Sequence, residues 1–365
     1  MRPPYKAPKR SFVQAFKTFA YALLCVALVG FFVWIWWPTR PIGQPVAATV
    51  PTPSNSPAPV SPAPIIAPVV RTETRAPEPS GTRPVETVLE AQIALARQGI
   101  SSGSIDGVLG LQTRSALIAF QRKQGIFLTG VLDADTKTAL LISLPAMTEY
   151  AVTSEDLARL LPVPKTWLEK SEQPRLDFEN IVELLGEKAF SNPKLIRSLN
   201  PNVDWNNLPS GMTVTIPQVQ YPPVGGRAAL VKISLQQCVL EAFDDESNLL
   251  VHFPCSIGRL AEKRPAGELH VAVVALDPNY TFDPAIFPES SEAQSIGRKL
   301  IIPPGPNNPV GVAWIGLDRP GYGIHGTPAP EQVGRTESHG CFRLANWNAE
   351  YLAKMVWIGM PVIVE

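Results

Sequence analysis

Two histidines and one cysteine lie close together near the C-terminal end of the sequence, in IHGTPAPEQVGRTESHGCFRL (residues 324–344). The 365-residue chain contains only four histidines and four cysteines. The neighbours here are glycine, proline, serine and threonine, which are typical of loops that display functional groups. On an extended strand His339, Cys341 and Arg343 would share one face, whereas His325 would arrive from another strand.

These residue types together predict acyl transfer through a thioester. A thiol beside an imidazole can form a thiolate–imidazolium pair, and the thiolate is the nucleophile. Gly340 lets a substrate carbonyl approach the main chain, where the N–H groups of Gly340 and Cys341 could stabilise an oxyanion. Arg343 offers two parallel donors to a carboxylate. Zinc binding by His325, His339 and Cys341 is the alternative, although the sequence lacks HExxH and CxxC spacings.

The region that must position these residues, from about 227 to 365, has the pattern of a mostly β domain. AALVKISLQQCVLEAF and NLLVHFPCSIG flank the polar stretch DDES, which predicts a hairpin. DRPG, with Pro320 and Gly321 at its centre, predicts a type II turn before the first histidine of the motif. Asn346 is expected to cap a helix that runs to about Trp357.

Two further features of this region can be tested against a structure. A two-residue turn at Glu246 and Ser247 would place Cys238 opposite Cys255, where a disulfide is feasible, although Pro254 in that register argues for a bulge. The proline- and glycine-rich stretch 278–311 predicts a long loop that could cover a cleft.

GPNNPVGVAWIGL and GYGIHGTPAPEQVGRTESHGCFRLANWNAEYL resemble the L,D-transpeptidase (YkuD-like) catalytic domain, whose signature is His-Gly-Thr followed by Ser-His-Gly-Cys and an arginine. The resemblance covers nearly all of residues 227–365 and implies an L,D-transpeptidase-like β-sandwich with a late helix and no cofactor. It implies that Cys341 is the nucleophile, His325 its base, and His339 with Gly340 the oxyanion site.

The substrate-binding residues implied by the same motifs are Ser338, Gly326, Thr327 and Arg343. The implied reaction is an attack of the cysteine on a tetrapeptide stem of peptidoglycan, with release of D-alanine and transfer of the acyl group to an amine. Transfer to water, as in a carboxypeptidase or a crosslink hydrolase, remains open, as does a non-catalytic wall-tethering protein. Three residues depart from the motif or lie outside it: Arg264 stands where the family commonly has threonine, and His252 and His270 are expected to be packing residues.

Residues 85–143 contain an internal repeat. GVLGLQTRSAL (107–117) and GVLDADTKTAL (130–140) align 23 residues apart, and Asp133 is a candidate N-cap for the helix of the second copy. Three small helices are expected. The segment resembles the peptidoglycan-binding domain of bacterial cell-wall enzymes, which implies wall binding; a helical spacer without a ligand is the alternative.

The middle of the chain, residues 148–217, resembles a LysM carbohydrate-binding module in its second half, LNPNVDWNNLPSGMTVTIP (199–217). YAVTSED (150–156) is the candidate opening strand. Between them, LARLLPVPKTWLEKSEQPRLDF is an insertion that such a compact module does not normally carry. The resemblance implies an α+β fold and glycan binding; a packing domain between its neighbours is the alternative.

The first 84 residues have three distinct compositions. Residues 1–17 are basic and contain no acid, residues 18–37 carry no charge, and residues 38–84 contain 13 prolines. This order predicts a cytoplasmic tail, a transmembrane anchor in the cytoplasmic membrane and an extended linker to a periplasmic portion. A cleaved signal peptide is the alternative to the anchor. Basic and acidic residues number 32 each, so no electrostatic attraction to nucleic acid is expected.

Overall fold

The computed structural model describes residues 81–365 apart from residues 261, 263, 288 and 336–339, and it leaves the side chain of Leu144 undescribed. The predicted tail, the predicted anchor at residues 18–37 and nearly all of the predicted linker lie outside the described residues. Within the described part of the chain, no helix combines the length and the apolar character needed to cross a membrane.

Three helices form the N-terminal domain, as the sequence predicted: α1 (Val88–Ala96), α2 (Leu111–Gln124) and α3 (Ala134–Ala139). Strands β1 (Gly81–Pro84) and β2 (Leu141–Leu144) pair antiparallel and bring the two ends of the domain together.

The internal repeat is visible as a repeated polar junction. In the first copy a buried glutamine, Gln92, donates to Thr113 Oγ1 (3.0 Å) and accepts from the N–H of Gly107 (2.7 Å). In the second copy Gln121 donates to Thr136 Oγ1 (2.7 Å) and accepts from Gly130 N–H (2.9 Å). The repeated glycines and threonines are therefore required because each copy closes its turn on a buried amide.

Asp133 caps the third helix, as the sequence predicted. Its carboxylate accepts a hydrogen bond from the main-chain N–H of Thr136 at 2.9 Å. The same carboxylate accepts from the hydroxyl of Thr129. These hydrogen bonds and the helix N-terminus stabilise the ionised form and lower the pKa of Asp133.

The middle domain has two antiparallel strands, β3 (Met147–Ala151) and β4 (Thr213–Pro217). Four helices lie between these strands: α4 (Ser154–Ala158), α5 (Trp167–Glu172), α6 (Ile181–Lys188) and α7 (Pro193–Leu199). The core of this domain contains side chains of β3, β4, α6 and α7 but none of α5, which belongs to the inserted stretch.

The C-terminal region is mostly β, as expected. Its strands are β5 (Leu230–Ser234), β6 (Val239–Phe243), β7 (Leu249–Pro254), β8 (Gly267–Leu276), β9 (Tyr280–Phe282), β10 (Leu300–Ile302), β11 (Ala313–Leu317), β12 (Gly323–His325), β13 (Phe342–Arg343) and β14 (Pro361–Val364). The helices are α8 (Ser291–Ile296) and the late helix α9 (Asn346–Ala353). The large sheet has the strand order β13-β12-β11-β8-β14-β5-β6-β7, and β9 and β10 form a separate pair.

One long strand divides the large sheet into two halves. Residues 267–270 of β8 pair with β14, and residues 271–276 of the same strand pair with β11. The two outer edges then meet again: Ser256, just beyond β7, pairs with Arg343 of β13 through two main-chain hydrogen bonds of 2.9 and 3.0 Å. The sheet is thereby closed at the strand that follows the cysteine of the motif.

The late helix differs from its prediction at both ends. Asn346 is the first helical residue, Ala345 precedes it as the cap, and the helix ends at Ala353, short of Trp357. The Asn346 side chain has other partners: it accepts from Val312 N–H at 3.3 Å and donates to the carbonyl of Pro306 at 3.1 Å. The amide therefore joins the helix to the end of the loop 278–311 and does not cap it.

The disulfide that the sequence left open does not form. Cys238 and Cys255 are both reduced thiols. They do occupy opposite positions, and Cys255 N–H donates to the Cys238 carbonyl at 2.8 Å, so the pair is hydrogen-bonded rather than of the non-hydrogen-bonded kind that the two-residue turn would give. The bulge that Pro254 suggested lies instead near the turn, where the register shifts between Ala242 and Phe243.

The N-terminal domain and the C-terminal sheet share one hydrophobic core. The connection between α1 and α2 runs beside β7, where His252 N–H donates to Gly99 O (3.1 Å) and Ser101 N–H donates to His252 O (2.8 Å). Gly99 has φ +79°, and a Cβ there would lie 2.7 Å from Leu250 O. Only glycine fits this close approach, which fixes the domain against the sheet.

The buried amide of Gln121 yields a stability prediction. Replacing Gln121 with alanine leaves Gly130 N–H, Thr129 and Thr136 without this partner, so we expect the free energy of unfolding to fall by about 2–3 kcal/mol. Urea denaturation measures the change. The exposed Gln124 on the same helix is the matched control, and Gln124→Ala should stay within about 0.5 kcal/mol of the parent. Equal effects of the two substitutions would contradict the assigned role of the amide.

Candidate active site

Cys341 lies at the edge of the large sheet, directly before β13. Its Sγ lies 3.5 Å from the carbonyl oxygen of Gly321, to which the thiol can donate. A hydrogen bond with the main chain of Gly323 lowers the pKa of Cys341, although burial has the larger effect and raises it. Gly321 has φ +82° and is the third residue of the predicted type II turn, which Tyr322 N–H closes on Arg319 O at 3.2 Å. The turn therefore brings the main chain of β12 against the sulfur.

His325 occupies the end of β12, the strand beside β13. The two strands pair in parallel, with His325 opposite Arg343. The imidazole is buried, and its Nδ1 lies 2.6 Å from the carbonyl of Gly326. Because a carbonyl only accepts, Nδ1 carries the hydrogen and Nε2 keeps its lone pair. This tautomer makes His325 a proton acceptor through Nε2.

Burial sets the charge state of this site. Desolvation lowers the pKa of His325 to about 4 and raises the pKa of Cys341, while Arg343 lowers both values. These directions favour a neutral imidazole and a neutral thiol at pH 7. They differ from the thiolate–imidazolium pair that the sequence suggested, because burial penalises both charges.

Arg343 extends the site on the side of β13. Its side chain is half-buried. Desolvation lowers the pKa of Arg343, and the ionised form of Cys341 raises it. An arginine remains cationic in such surroundings and can hold a carboxylate. Arg343 thus lies opposite His325 and acts electrostatically on both His325 and Cys341.

The glycines around the motif allow close main-chain contacts. Gly340 has φ +154°, close to extended backbone, and a Cβ on Gly258 would lie 3.1 Å from the Gly340 Cα. A Cβ on Gly326 would lie 2.2 Å from the side-chain oxygen of Asn346. Thr327 is buried, and its hydroxyl accepts from Ala329 N–H at 3.3 Å. Ser338 and His339 lie outside the described residues.

Two aromatic residues of the site were missed by the sequence analysis. Trp314 lies opposite His325 on β11, and the two rings stack with centroids 5.7 Å apart. Tyr280 is on the loop 278–311, and its pKa is raised by burial and then by the nearby charge of Cys341. Strand register could have indicated Trp314, but nothing in the local sequence placed Tyr280 near the cysteine.

The two histidines outside the motif, His252 and His270, lie on strands β7 and β8 of the large sheet. His252 is buried and bonds to Glu241 (2.8 Å) and Ser115 (3.2 Å), within the contact between the N-terminal domain and the sheet. His270 is exposed and lies 3.1 Å from the carboxylate of Asp318. The first is a packing residue as expected, whereas the second belongs to the surface.

Arg264, which replaces the threonine common in the resembling family, has a definite place in the site. Its guanidinium donates to the carbonyls of Gly258 (2.6 Å) and Arg259 (3.1 Å). Gly258 lies against Gly340, the residue before Cys341. The hydrogen bonds of Arg264 therefore hold the Gly258 loop in place next to Gly340.

The charge state of the site can be tested by alkylation. Because burial raises the pKa of Cys341, we expect its iodoacetamide reaction to increase through a midpoint above about 8.5, the ordinary thiol value. Mass spectrometry of the Cys341 peptide measures the rate against pH, and the same protein unfolded in urea supplies the unperturbed midpoint. His325→Ala should change the folded midpoint little, because the imidazole is uncharged. A midpoint below 7 in the folded protein would instead indicate a thiolate–imidazolium pair.

Two family models match parts of this chain. Residues 228–364 match YkuD, the L,D-transpeptidase catalytic domain, and residues 85–140 match PG_binding_1, a peptidoglycan binding domain. Among curated proteins, the probable L,D-transpeptidase ErfK/SrfK of Escherichia coli is 31% identical over 166 residues, which is 45% of this chain and 52% of that protein. YkuD of Bacillus licheniformis, named as an L,D-transpeptidase, is 25% identical over 165 residues, 45% of this chain and 81% of that protein.

The chain thus spans about half the length of the Escherichia coli relative. A solved structure, L,D-transpeptidase 3 from Mycobacterium tuberculosis, aligns at 18% identity with a TM-score of 0.31, covering 44% of this chain and 76% of that one. The family matches coincide with the mostly β region that holds Cys341 and with the three-helix domain before it. The chain therefore contains an L,D-transpeptidase catalytic domain of the YkuD family and a peptidoglycan-binding domain.

Proposed function

We propose that this protein is a peptidoglycan L,D-transpeptidase that acts through a thioester on Cys341. The observation that carries the proposal is the common position of Cys341, His325 and Arg343 at the pairing of β12 with β13, inside a domain that matches the transpeptidase family. The substrate is a tetrapeptide stem, and the acyl acceptor is the side-chain amine of a second stem.

In the first half-reaction, the sulfur of Cys341 attacks the carbonyl carbon after the third residue of the donor stem. The thiol proton passes to Nε2 of His325, which the Nδ1 hydrogen bond to Gly326 leaves free to accept it. The oxyanion is stabilised by the N–H groups of Gly340 and Cys341. The family resemblance assigns His339 to the same step. The C–N bond then breaks, and D-alanine leaves with the proton from the imidazolium.

In the second half-reaction, the acceptor amine attacks the thioester carbonyl and gives its proton to His325. The C–S bond breaks, and the thiolate of Cys341 recovers a proton from the imidazolium. Arg343 holds a carboxylate of a stem, and Gly326 and Thr327 contact the substrate. The family resemblance assigns substrate binding to Ser338 as well. A neutral starting pair suits this scheme, because each proton transfer accompanies the formation or cleavage of a bond to carbon.

The other domains direct this chemistry to the wall. The N-terminal domain presents two exposed apolar side chains, Val108 (59% exposed) and Leu111 (87% exposed), at the rim of a cavity of about 220 Å³. Asp106 and Arg335 also line this cavity, so it offers apolar contacts and both charges. We assign peptidoglycan binding to this surface.

The middle domain and the N-terminal region belong to the same proposal. The order of β3, α6, α7 and β4 supports a LysM-like module that binds glycan, with the insertion placed after β3. The uncharged residues 18–37 support a single-pass anchor in the cytoplasmic membrane, which would put the catalytic domain on the periplasmic side.

The thioester mechanism predicts that Cys341→Ala abolishes turnover of tetrapeptide muropeptides. Mass spectrometry of the products measures the release of D-alanine and the formation of crosslinked or hydrolysed stems. Cys238→Ala is the matched control, because Cys238 is also a half-buried thiol, and it should retain activity. Activity in Cys341→Ala, or loss of activity by chelation alone in the parent, would contradict the mechanism and favour zinc. A product set of tripeptides without crosslinks would identify the carboxypeptidase alternative.

The wall-binding surface predicts an effect of Leu111→Asn. Loss of this exposed apolar contact should weaken co-sedimentation with peptidoglycan sacculi by about three- to tenfold, because a few exposed anchors carry most of a binding energy. Turnover of small soluble muropeptides should not change. Ile358→Asn is the matched control, since Ile358 is an aliphatic residue of the catalytic domain with 68% exposure. Equal co-sedimentation of both variants would favour the spacer role of the N-terminal domain.

A further inference from the structure

The inserted stretch of the middle domain packs against the catalytic domain. We call residues 167–177 the insert segment and residues 278–311 the lid loop. In the insert segment, Trp167 is partly buried and Leu176 is buried. Neither side chain lies in the core of the middle domain. They lie in a separate cluster with the lid loop.

This cluster is the apolar core of the lid loop. Leu176 is 1% exposed and contacts side chains that are equally buried in β9, α8 and β10. The ring of Trp167 stacks on Phe282 with centroids 4.4 Å apart and an interplanar angle of 17°. It also lies 6.0 Å from the ring of Tyr280. The lid loop therefore needs these two side chains of the middle domain to bury its apolar face.

The insert segment also holds the end of the lid loop through the main chain. Leu176 N–H donates to the carbonyl of Pro304 (2.9 Å), and Asn307 N–H donates to the carbonyl of Leu176 (3.0 Å). Gly305, between these partners, has φ +140°, and a Cβ there would lie 2.0 Å from Leu176 O. Glycine is required because the two chains meet at main-chain distance.

The start of the lid loop is held by an ion pair. Arg175 donates to both carboxylate oxygens of Asp277, at 2.5 and 2.8 Å. Asp277 adopts φ +50°, and its N–H donates to Val312 O at 2.7 Å. Since Asp277 precedes the loop and Val312 follows it, Arg175 is attached where both ends of the lid loop join the sheet.

The lid loop in turn borders the reactive residues. At its end, a Cβ on Gly311 would lie 2.7 Å from the Cα of Gly326, the residue after His325. Near its start, Tyr280 contacts Trp167, and burial followed by the ionised form of Cys341 raises the pKa of Tyr280. Trp314, two residues after Val312, stacks on His325. The lid loop therefore contacts the insert segment through Tyr280 and Phe282, and its last residue, Gly311, contacts the residue that follows His325.

We propose that Trp167 and Arg175 are positioning residues for the reaction at Cys341, and that the middle domain holds the lid loop over the donor-stem site. The inference rests on the proposed transpeptidase function, because the donor stem is the substrate that the lid loop would hold. It gives the insertion a role in catalysis in addition to any glycan binding by the rest of the domain.

The test compares three variants of the full-length protein: Trp167→Ala, Trp167→Phe and Trp205→Ala. Trp205 is the matched control because it packs on the core of the middle domain and under Arg197, outside the lid cluster. Two quantities are measured for each: the rate of iodoacetamide labelling at Cys341, read from its peptide, and the KM and kcat for a tetrapeptide donor.

Trp167→Ala should label about threefold faster, because the lid loop opens locally. Its KM for the donor should rise about tenfold with a smaller change in kcat, since the loss is one of substrate positioning. Trp167→Phe, which keeps an aromatic ring in the cluster, should restore both values, and Trp205→Ala should resemble the parent. Parent-like labelling and KM in Trp167→Ala would overturn the proposal, as would equal changes in Trp205→Ala.

Two further outcomes separate this inference from the function on which it rests. If the parent protein shows no turnover, the transpeptidase proposal fails, and the labelling rates alone decide whether the middle domain holds the lid loop. If Trp167→Ala does not fold, Arg175→Gln replaces it, because Arg175 forms a partly exposed ion pair and such pairs contribute little to stability. Faster labelling in Arg175→Gln would support the proposal, and parent-like labelling would overturn it.

Discussion

The main-chain pairing of Ser256 with Arg343 is the contact on which the site depends. Strand β13 has only two residues, and so short a strand has no stability of its own. It is held on one side by β12 and on the other by Ser256, whose hydroxyl also accepts from Gly334 N–H at 2.8 Å. Cys341 immediately precedes this strand. The closure of the sheet therefore fixes the segment that carries the nucleophile.

The same strand connects the site with the N-terminal domain. His252 on β7 binds the main chain of Gly99 and Ser101, and four residues later Ser256 binds Arg343. The N-terminal domain and the region that holds Cys341 are thus joined by a few residues of β-structure and one shared core. In a flexibly tethered module, the linker sets an effective concentration. Here the main-chain contact and the shared core fix the N-terminal domain against the sheet, so the proposed wall-binding surface keeps one orientation relative to Cys341.

Burial favours a neutral imidazole of His325 and a neutral thiol of Cys341 as the starting protonation states. The imidazole of His325 is buried against Trp314, and the hydrogen bond from its Nδ1 to Gly326 O fixes the tautomer. Desolvation disfavours a charge on both this ring and the Cys341 sulfur. The nearby Arg343 favours the thiolate and opposes the imidazolium. A substrate that brings a carboxylate to Arg343 would change this balance, which links substrate binding to proton transfer.

Local sequence determined the elements that depend on neighbouring residues. The three helices, the cap at Asp133 and the turn around Gly321 follow from side chains and backbone preferences within a few positions, and the motif identified Cys341, His325 and Arg343. Long-range packing decided the rest. Asn346 was expected to cap a helix, but its amide instead accepts from Val312 N–H and donates to Pro306 O, in the segment before β11. Trp167 met Tyr280 and Phe282 through contacts between distant segments. The charge state of Cys341 followed from burial, which the spacing of residues in the sequence does not show.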